Sequence, residues 1–137
     1  MIDLRQISTQ ALAYLGDCVI EMRVREHLVE KGIASSGKLN AEALSFVRAS
    51  AQAEAMKKLL PLLTEEEAGY FRRGRNIGHS SVPKNATVSD YRTATGLEAL
   101  FGFLHLAGRE ERIAELFSAA YLTPTDEQAQ EMQSFED

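Results

Sequence analysis

Apolar residues recur three or four positions apart along almost the whole chain, and no stretch alternates long enough to predict a strand. Cap and breaker residues at the ends of these stretches mark helix starts and stops. They divide the chain into six predicted helices, at about residues 8–31, 38–47, 49–60, 64–74, 89–107 and 109–122. Residues 76–88 give the only long loop signal. Six helices with short connections predict a compact all-α fold.

The length of the chain, 137 residues, fits one domain that can bury a sizeable core. Its hydrophobic share of 45% and charged share of 26% are typical of a folded globular protein. We expect the helical domain to cover residues 1–123. Residues 124–137 begin with a proline, contain five acids and no base, and therefore predict a disordered acidic tail.

The cellular location is predicted from what the sequence contains. No apolar run approaches the length that spans a bilayer, and the first residues lack the basic and apolar segments of a signal peptide. The one cysteine, Cys18, cannot form an internal disulfide. Because Cys18 lies in an apolar helical stretch, we expect a buried, structural thiol. These features predict a cytoplasmic protein with no membrane partner.

The distribution of charge matters more than the net charge of −5. Without the five acids of the tail, the body has 15 basic and 15 acidic residues. Within that body, residues 72–92 hold five basic side chains against Asp90 alone. Phosphate binding depends on local basic density rather than on the charge of the whole chain. The overall acidity therefore does not exclude a nucleic-acid partner.

Two carboxylates stand out because each lies in an apolar helical stretch beside glycine: Asp17 in LAYLGDCVIE and Glu98 in TGLEALFGFLHL. An ionised carboxylate that faces a core is costly unless it is paired. Two such acids could hold Mg²⁺, which takes one or two protein carboxylates together with water and substrate phosphate. The alternative is that each acid caps a helix or pairs with an arginine. Gly16, Gly96 and Gly102 would let the two helices approach closely, although helix packing alone could also require them.

The two acidic runs resemble ribonuclease III, whose catalytic domain carries L-G-D on one helix and E-A-hydrophobic-G on another. The chain is more similar to the Mini-III ribonucleases, relatives that lack a double-stranded-RNA-binding domain. It shares seven segments with them in order: LAYLGD with Glu21 following, FVRASAQAEAM, LTEEE, RRGRN, VPKN, YRTATGLEALFG and GREER. These segments span roughly residues 10–117. The resemblance implies a ribonuclease III-like catalytic domain over most of the chain.

This resemblance implies a Mg²⁺-dependent endoribonuclease that cleaves double-stranded RNA and leaves 5′-phosphate and 3′-hydroxyl ends. Asp17 and Glu98 would be its catalytic residues and its metal ligands. The resemblance also implies a homodimer whose two sites act on opposite strands, and a substrate that is the precursor of 23S, large-subunit ribosomal RNA. The predicted RNA-binding residues are Arg72, Arg73, Arg75, Lys84, Asn85 and Arg92.

The sequence departs from full-length ribonuclease III at two further acids of that family. The corresponding positions are Ala13, four residues before Asp17, and Thr95, three residues before Glu98. Mini-III enzymes show the same reduced pattern, which implies a subfamily trait rather than inactivation. The alternative is a catalytically inactive RNA-binding module of the ribosome or its assembly. A second alternative is a helical interaction protein with no RNA role.

The remaining polar and aromatic candidates have weaker signals. We expect Glu21 to be an exposed surface acid rather than a metal-site residue. His27 and His105 lack ligand partners at zinc spacing, which predicts surface or packing roles, whereas His79 lies beside basic residues and could touch phosphate. Aromatic residues at helical spacing predict core or dimer-interface positions rather than base stacking: Tyr14, Tyr91, Phe101 and Phe103.

Overall fold

The computed structural model describes residues 2–78, 84 and 86–122. Within these residues the regular structure is entirely helical, which confirms the all-α prediction. The helices are α1 (Thr9–Glu30), α2 (Ser36–Val47), α3 (Ala49–Leu59), α4 (Glu65–Arg75), α5 (Val88–Leu106) and α6 (Glu110–Tyr121). Short 3-10 turns at Leu4–Gln6 and Leu60–Leu62 precede α1 and α4. The predicted tail, 124–137, lies outside the described residues, as do His79 and Asn85.

Side-chain caps fix where several helices begin. The Ser8 hydroxyl accepts a hydrogen bond of 3.1 Å from a backbone N–H in the first turn of α1, and Thr87 caps α5 in the same way at 3.0 Å. At α4 the predicted capping box is present, because Thr64 and Glu67 each accept a hydrogen bond from the backbone N–H of the other. These bonds satisfy donors that a helix start leaves free. The predicted helix boundaries therefore agree with the structure to within two residues.

Helix α5 is the central element of the fold. It packs against α1, α3, α4 and α6, and most extensively against α1 and α4. Residues 99–104 are all buried, so this part of α5 is buried around its whole circumference, as expected for a core helix. None of the described helices is long and apolar enough to cross a membrane.

The buried side of α1 differs from the one that we predicted. The spacing of apolar residues in the sequence predicts one broad core face made of Leu12, Leu15, Val19, Met22 and Leu28. The residues that are buried are Leu12, Gly16, Ile20, Val24, His27 and Leu28. Met22 is 57% exposed, so its assignment to the core is wrong. The reason is Gly16, which lies against α5 and turns the four-residue series that begins at Leu12 toward the core.

This orientation of α1 leaves two residues on its other side exposed. Cys18 is exposed, so the prediction of a buried thiol is wrong, because an apolar neighbourhood in sequence does not decide which side of a helix a residue takes. Tyr14 is 86% exposed, which excludes it from the core of this chain. Phe101 and Phe103 are buried core residues, as predicted.

Candidate active site

Helices α1 and α5 meet backbone to backbone beside the two acids singled out in the sequence. A Cβ atom at Gly16 would collide with the main-chain carbonyl of Glu98, and one at Gly102 would collide with that of Leu12. A side chain at either position would push the helices apart, since interiors are too closely packed to absorb it. The predicted close approach is therefore confirmed for Gly16 and Gly102.

Gly96 serves a different contact from the one predicted. Its missing Cβ leaves room for the ring of Phe71 on α4, which would lie 2.6 Å from that atom. From the opposite side, a Cβ at Gly74 of α4 would lie 2.8 Å from the Cα of Gly96. Helix α5 is thus held closely by α1 on one side and by α4 on another, which fixes the position of Glu98.

The two acids line one cleft of about 310 Å³. Asp17 is exposed at its mouth, whereas Glu98 is partly buried. The other lining residues are Val47, Arg48, Ala49, Gln52, Ala86, Tyr91 and Ala94. Residues 81 positions apart in sequence are therefore neighbours in space, as the two-acid hypothesis requires.

The electrostatics of this pair are unfavourable for two ionised acids. Burial raises the pKa of Glu98 from its ordinary value of 4.5 to about 8, and the negative charge of Asp17 and its hydrogen-bonding interaction with Glu98 add to the shift. Glu98 also adds to the effect of burial in raising the pKa of Tyr121 on α6. A cation placed between the carboxylates would reverse the shift of Glu98, because it favours the ionised form.

The residues present fit a magnesium-type ion. No group of three or more histidine, cysteine, aspartate or glutamate side chains within the described part of the chain could hold a metal. Two carboxylates are too few for a zinc site, which needs three or four protein ligands. They suit Mg²⁺, which keeps several waters and binds substrate phosphate.

The neighbouring positions add no third acid to the site. Ala13 packs against the core, and the hydroxyl of Thr95 donates to the backbone carbonyl of Tyr91 at 3.0 Å. Glu21 lies one turn after Asp17 but accepts a hydrogen bond of 2.9 Å from Arg25 on the helix surface. This ion pair agrees with the predicted surface role of Glu21.

Sequence reasoning missed two polar residues of the cleft. Arg48 and Gln52 lie at the start of α3 and line the cleft with Asp17 and Glu98. Both belong to FVRASAQAEAM, one of the segments shared with Mini-III, and this shared motif was the signal that could have identified them. Tyr91, predicted to be a core or interface residue, also lines the cleft.

The predicted RNA-binding residues occupy different surroundings. Arg75 and Arg92 line a second cavity of about 440 Å³ together with Ser89 at the start of α5. The guanidinium of Arg73 lies 5.1 Å from the ring centre of Tyr70, and Arg72 is exposed on α4. Lys84 is exposed, and Asn85 is outside the described residues. The structure therefore brings two of the six predicted residues together in one basic cavity.

His27 and His105 lie away from the Asp17–Glu98 cleft. The ring of His27 is buried, edge-on to Phe46 at a distance of 5.8 Å between ring centres. His105 is exposed and lies 3.0 Å from a carboxylate oxygen of Glu110. These positions agree with the predicted packing and surface roles.

Comparison with known proteins identifies the family. Residues 10–109 match the Ribonuclease III domain. The Mini-ribonuclease 3 of Symbiobacterium thermophilum is 47% identical over 109 residues, which cover 80% of this chain and 84% of that protein. The Mini-ribonuclease 3 of Enterococcus faecalis is 42% identical over 120 residues, or 86% of this chain and 91% of that protein.

The fold of a solved relative agrees with this assignment. A crystal structure of a Fusobacterium nucleatum protein superposes with a TM-score of 0.78 at 32% sequence identity, over 86% of this chain and 94% of that one. Sequence and fold therefore lead to the same family. The chain belongs to the ribonuclease III family, among its Mini-ribonuclease 3 members, and is an endoribonuclease.

Proposed function

We propose that this endoribonuclease uses Mg²⁺ to cleave double-stranded RNA and that it matures the ends of the 23S ribosomal RNA precursor in the cytoplasm. The observation that carries the proposal is the pairing of Asp17 with Glu98 in one cleft, where burial and like charge raise the pKa of Glu98. Ribonuclease III enzymes act on double-stranded RNA and are generally metal-dependent, which supports the class of substrate and cofactor.

In this proposal Asp17 and Glu98 hold the ion and are the catalytic residues. A bound Mg²⁺ would supply an activated water and positive charge beside the phosphate. Hydrolysis by that water would leave 5′-phosphate and 3′-hydroxyl ends. Glu98 must lose its proton before it can act as a ligand, since a protonated carboxyl is a poor partner for a cation. Arg48 at the rim adds positive charge where the RNA phosphate would enter.

The basic cavity extends the site along the RNA backbone. Arg92 precedes Glu98 by six residues on α5, which corresponds to roughly 9 Å along the helix axis. Arg75 faces the same cavity from the end of α4. Both side chains can bind phosphate without reading bases, which suits duplex RNA because it is recognised mostly by shape, phosphates and 2′-hydroxyls.

The exposed side of α1 supports the proposed homodimer. Tyr14, Met22 and Val29 are 86%, 57% and 63% exposed, and all three lie on the side of α1 away from α5. A patch of exposed apolar residues often marks a surface that binds another molecule. A second copy of the chain that covers this stripe would place two clefts on one assembly, one for each RNA strand.

The test of the proposed function is cleavage of a duplex made from the paired ends of the 23S precursor. The wild-type chain should cut both strands with Mg²⁺ and should be inactive in EDTA. In cells that lack the protein, sequencing should find unprocessed 23S ends. Mature ends in those cells would exclude the proposed substrate, and cleavage in EDTA would exclude the metal.

The dimer is tested separately by Tyr14→Asp, which places a charge at one end of the apolar stripe, on its most exposed residue. Sedimentation at micromolar concentration should show wild-type dimers and mostly monomers of the variant, because an unpaired buried charge is costly. Ser50→Asp, on the exposed side of α3, is the matched control and should stay dimeric. A monomeric wild type that still makes double-strand cuts would contradict the proposed assembly.

A further inference from the structure

One polar side chain in the cleft has no role in the proposed site so far. Gln52 is only 3% exposed, yet it lines the cleft that holds Asp17 and Glu98. No hydrogen bond joins its amide to any residue that the structure describes. Its amide atoms are not among the side-chain atoms of the described residues that are fully cut off from solvent, so the solvent contact that remains to Gln52 is on the side of the cleft.

Two other buried polar side chains have partners inside the fold: Glu67 is held by Arg112, and Thr95 by the carbonyl of Tyr91. Among the described residues the Tyr121 hydroxyl, which lies outside the lining of the cleft, also has no partner. Buried polar groups in folded proteins nearly always have a partner, because a buried group without a hydrogen bond destabilises the fold. Gln52 departs from that pattern at the site where a ligand would enter.

The position of Gln52 in its helix makes the departure clearer. On α3 it precedes Ala55, Met56 and Leu59 at the spacing of one buried stripe. A position in this buried stripe normally holds an apolar residue, and an apolar side chain has no hydrogen-bonding group that could be left without a partner. The choice of glutamine therefore has no explanation in the stability of the fold.

The chemistry of the cleft indicates what the amide can bind. Ionised Asp17 and Glu98 only accept hydrogen bonds, and Arg48 only donates them. Gln52 can do both without adding charge. Duplex RNA presents phosphate oxygens, which accept, and 2′-hydroxyls, which accept and donate.

We propose that Gln52 is a substrate-contacting residue whose side-chain amide binds the RNA sugar–phosphate backbone at the cleavage site. This inference rests on the proposed function. The contact holds the strand against Asp17 and Glu98 and is made only when RNA fills the cleft. The Gln52 amide therefore has no hydrogen-bond partner among the described residues when RNA is absent.

The test uses Gln52→Met, which keeps the length of the side chain and removes the amide. A ten- to hundredfold drop in kcat/KM is expected, about the worth of one hydrogen bond to a charged or well-placed polar group. The melting temperature should stay the same or rise, because an unpartnered buried amide has been removed. Gln6→Met, at an exposed position, is the matched control and should leave both quantities unchanged.

The outcomes separate this inference from the proposed function. If the wild-type chain does not cleave duplex RNA, the proposed function fails. If it does, and Gln52→Met cleaves at the wild-type rate, only the Gln52 contact is wrong. A variant that melts at a clearly lower temperature also overturns the inference, because the amide would then have a structural role.

A second measurement identifies the atom that the amide binds. Substrates carry a single 2′-deoxy or methylphosphonate substitution beside the cleavage site, and each is cut by wild type and by Gln52→Met. The substitution that removes the true partner should slow wild type but have little further effect on the variant, as in a double-mutant cycle. If both substitutions slow the two proteins equally, no contact exists and the inference is wrong.

Discussion

Glu67 and Glu98 are both acids that the fold takes out of water, but the chain treats them in opposite ways. Both carboxylate oxygens of Glu67 accept hydrogen bonds of 2.8 Å from Arg112, and one of them also caps α4 through Thr64. These bonds hold the pKa of Glu67 below its usual value. Glu98 faces Asp17 instead, and its pKa is raised to about 8.

The difference is between an acid with a structural role, Glu67, and an acid that in the proposed site binds a ligand, Glu98. Glu67 has its counter-charge built into the sequence, so that α4 and α6 are tied together when the chain folds. Among the ion pairs of the described residues, none includes Asp17 or Glu98. Arg48 lines the same cleft without an ion pair to either acid, and in the proposed site a divalent ion supplies the balancing charge.

The largest expected effect is on catalysis. Asp17→Asn and Glu98→Gln should each reduce Mg²⁺-dependent cleavage of duplex RNA by roughly a thousandfold or more, because the metal contributes several kcal/mol to transition-state stabilisation. Both variants should melt at or above the wild-type temperature, since each removes one of two repelling charges.

Glu21→Gln is the matched control for these variants, one turn along α1 from Asp17. Its partner is Arg25 on the helix surface, so cleavage should remain at the wild-type rate. Near-normal activity of Asp17→Asn or Glu98→Gln would remove the metal site from this cleft. Loss of activity in Glu21→Gln would make Glu21 part of the site.

The second prediction concerns the structural acid. Arg112→Met should lower the free energy of unfolding by about 2–3 kcal/mol, because it leaves Glu67 buried without its counter-charge. Arg109→Met breaks the exposed pair with Glu66 and the contact of the Arg109 guanidinium with the Phe103 ring, and should cost about 1 kcal/mol. Urea denaturation measures the free energy of unfolding of both variants. Equal losses would show that burial does not determine how much the Glu67–Arg112 pair stabilises the fold.

The third prediction is that the two acids give opposite dependences of stability on pH. Glu67 has a lowered pKa, so its contribution is present above about pH 4.5 and is lost as the pH falls further. Glu98 has a raised pKa, so in metal-free protein its contribution is present below pH 4.5 and is lost as the pH rises toward 8.

Thermal melts in EDTA from pH 5 to 8 test the second of these slopes. Wild type should lose stability on the order of 1–2 kcal/mol, discounted for the open side of the cleft. Glu98→Gln should not show this loss, and Mg²⁺ should reduce it in wild type. An identical slope in wild type and Glu98→Gln would contradict the assigned pKa.

The smallest expected effect concerns two exposed basic residues of the predicted RNA-binding surface, Arg75 in the basic cavity and Lys84 outside its lining. Arg75→Ala or Lys84→Ala should weaken binding to all duplex sequences equally and should reduce the salt dependence of affinity by about one phosphate contact each. Stability should change by less than about 0.5 kcal/mol. Fluorescence anisotropy across a salt series measures this, with Lys31→Ala as the control. Unchanged slopes in both variants would exclude these residues from the RNA surface.

Local sequence was enough to predict most of the fold. Helix boundaries follow from caps such as Ser8 and Thr64, whose bonds depend only on neighbours within one turn. The placement of Met22 and Cys18 was wrong because the side that a helix buries depends on its partner helix. Here the contact of Gly16 with α5 decides it.

The site was predictable only where a motif marked it. Asp17 and Glu98 could be paired through the two acidic runs that resemble ribonuclease III, although their contact is tertiary. Gln52 lies on a third helix, in a segment without a charge pattern of its own near that residue. The packing of α3 against α5 is what brings Gln52 to the cleft.

The direct contact of main chains at Gly16 and Gly102 would limit how the ion preference of the proposed metal site can be altered. Since no side chain separates α1 from α5 there, repacking the core cannot widen the gap between the ligands by a few tenths of an ångström. Mg²⁺ and Ca²⁺ differ by about that much in their distance to oxygen. An engineer who wants a larger ion must therefore change the reach of the acids themselves, by exchanging aspartate and glutamate at positions 17 and 98.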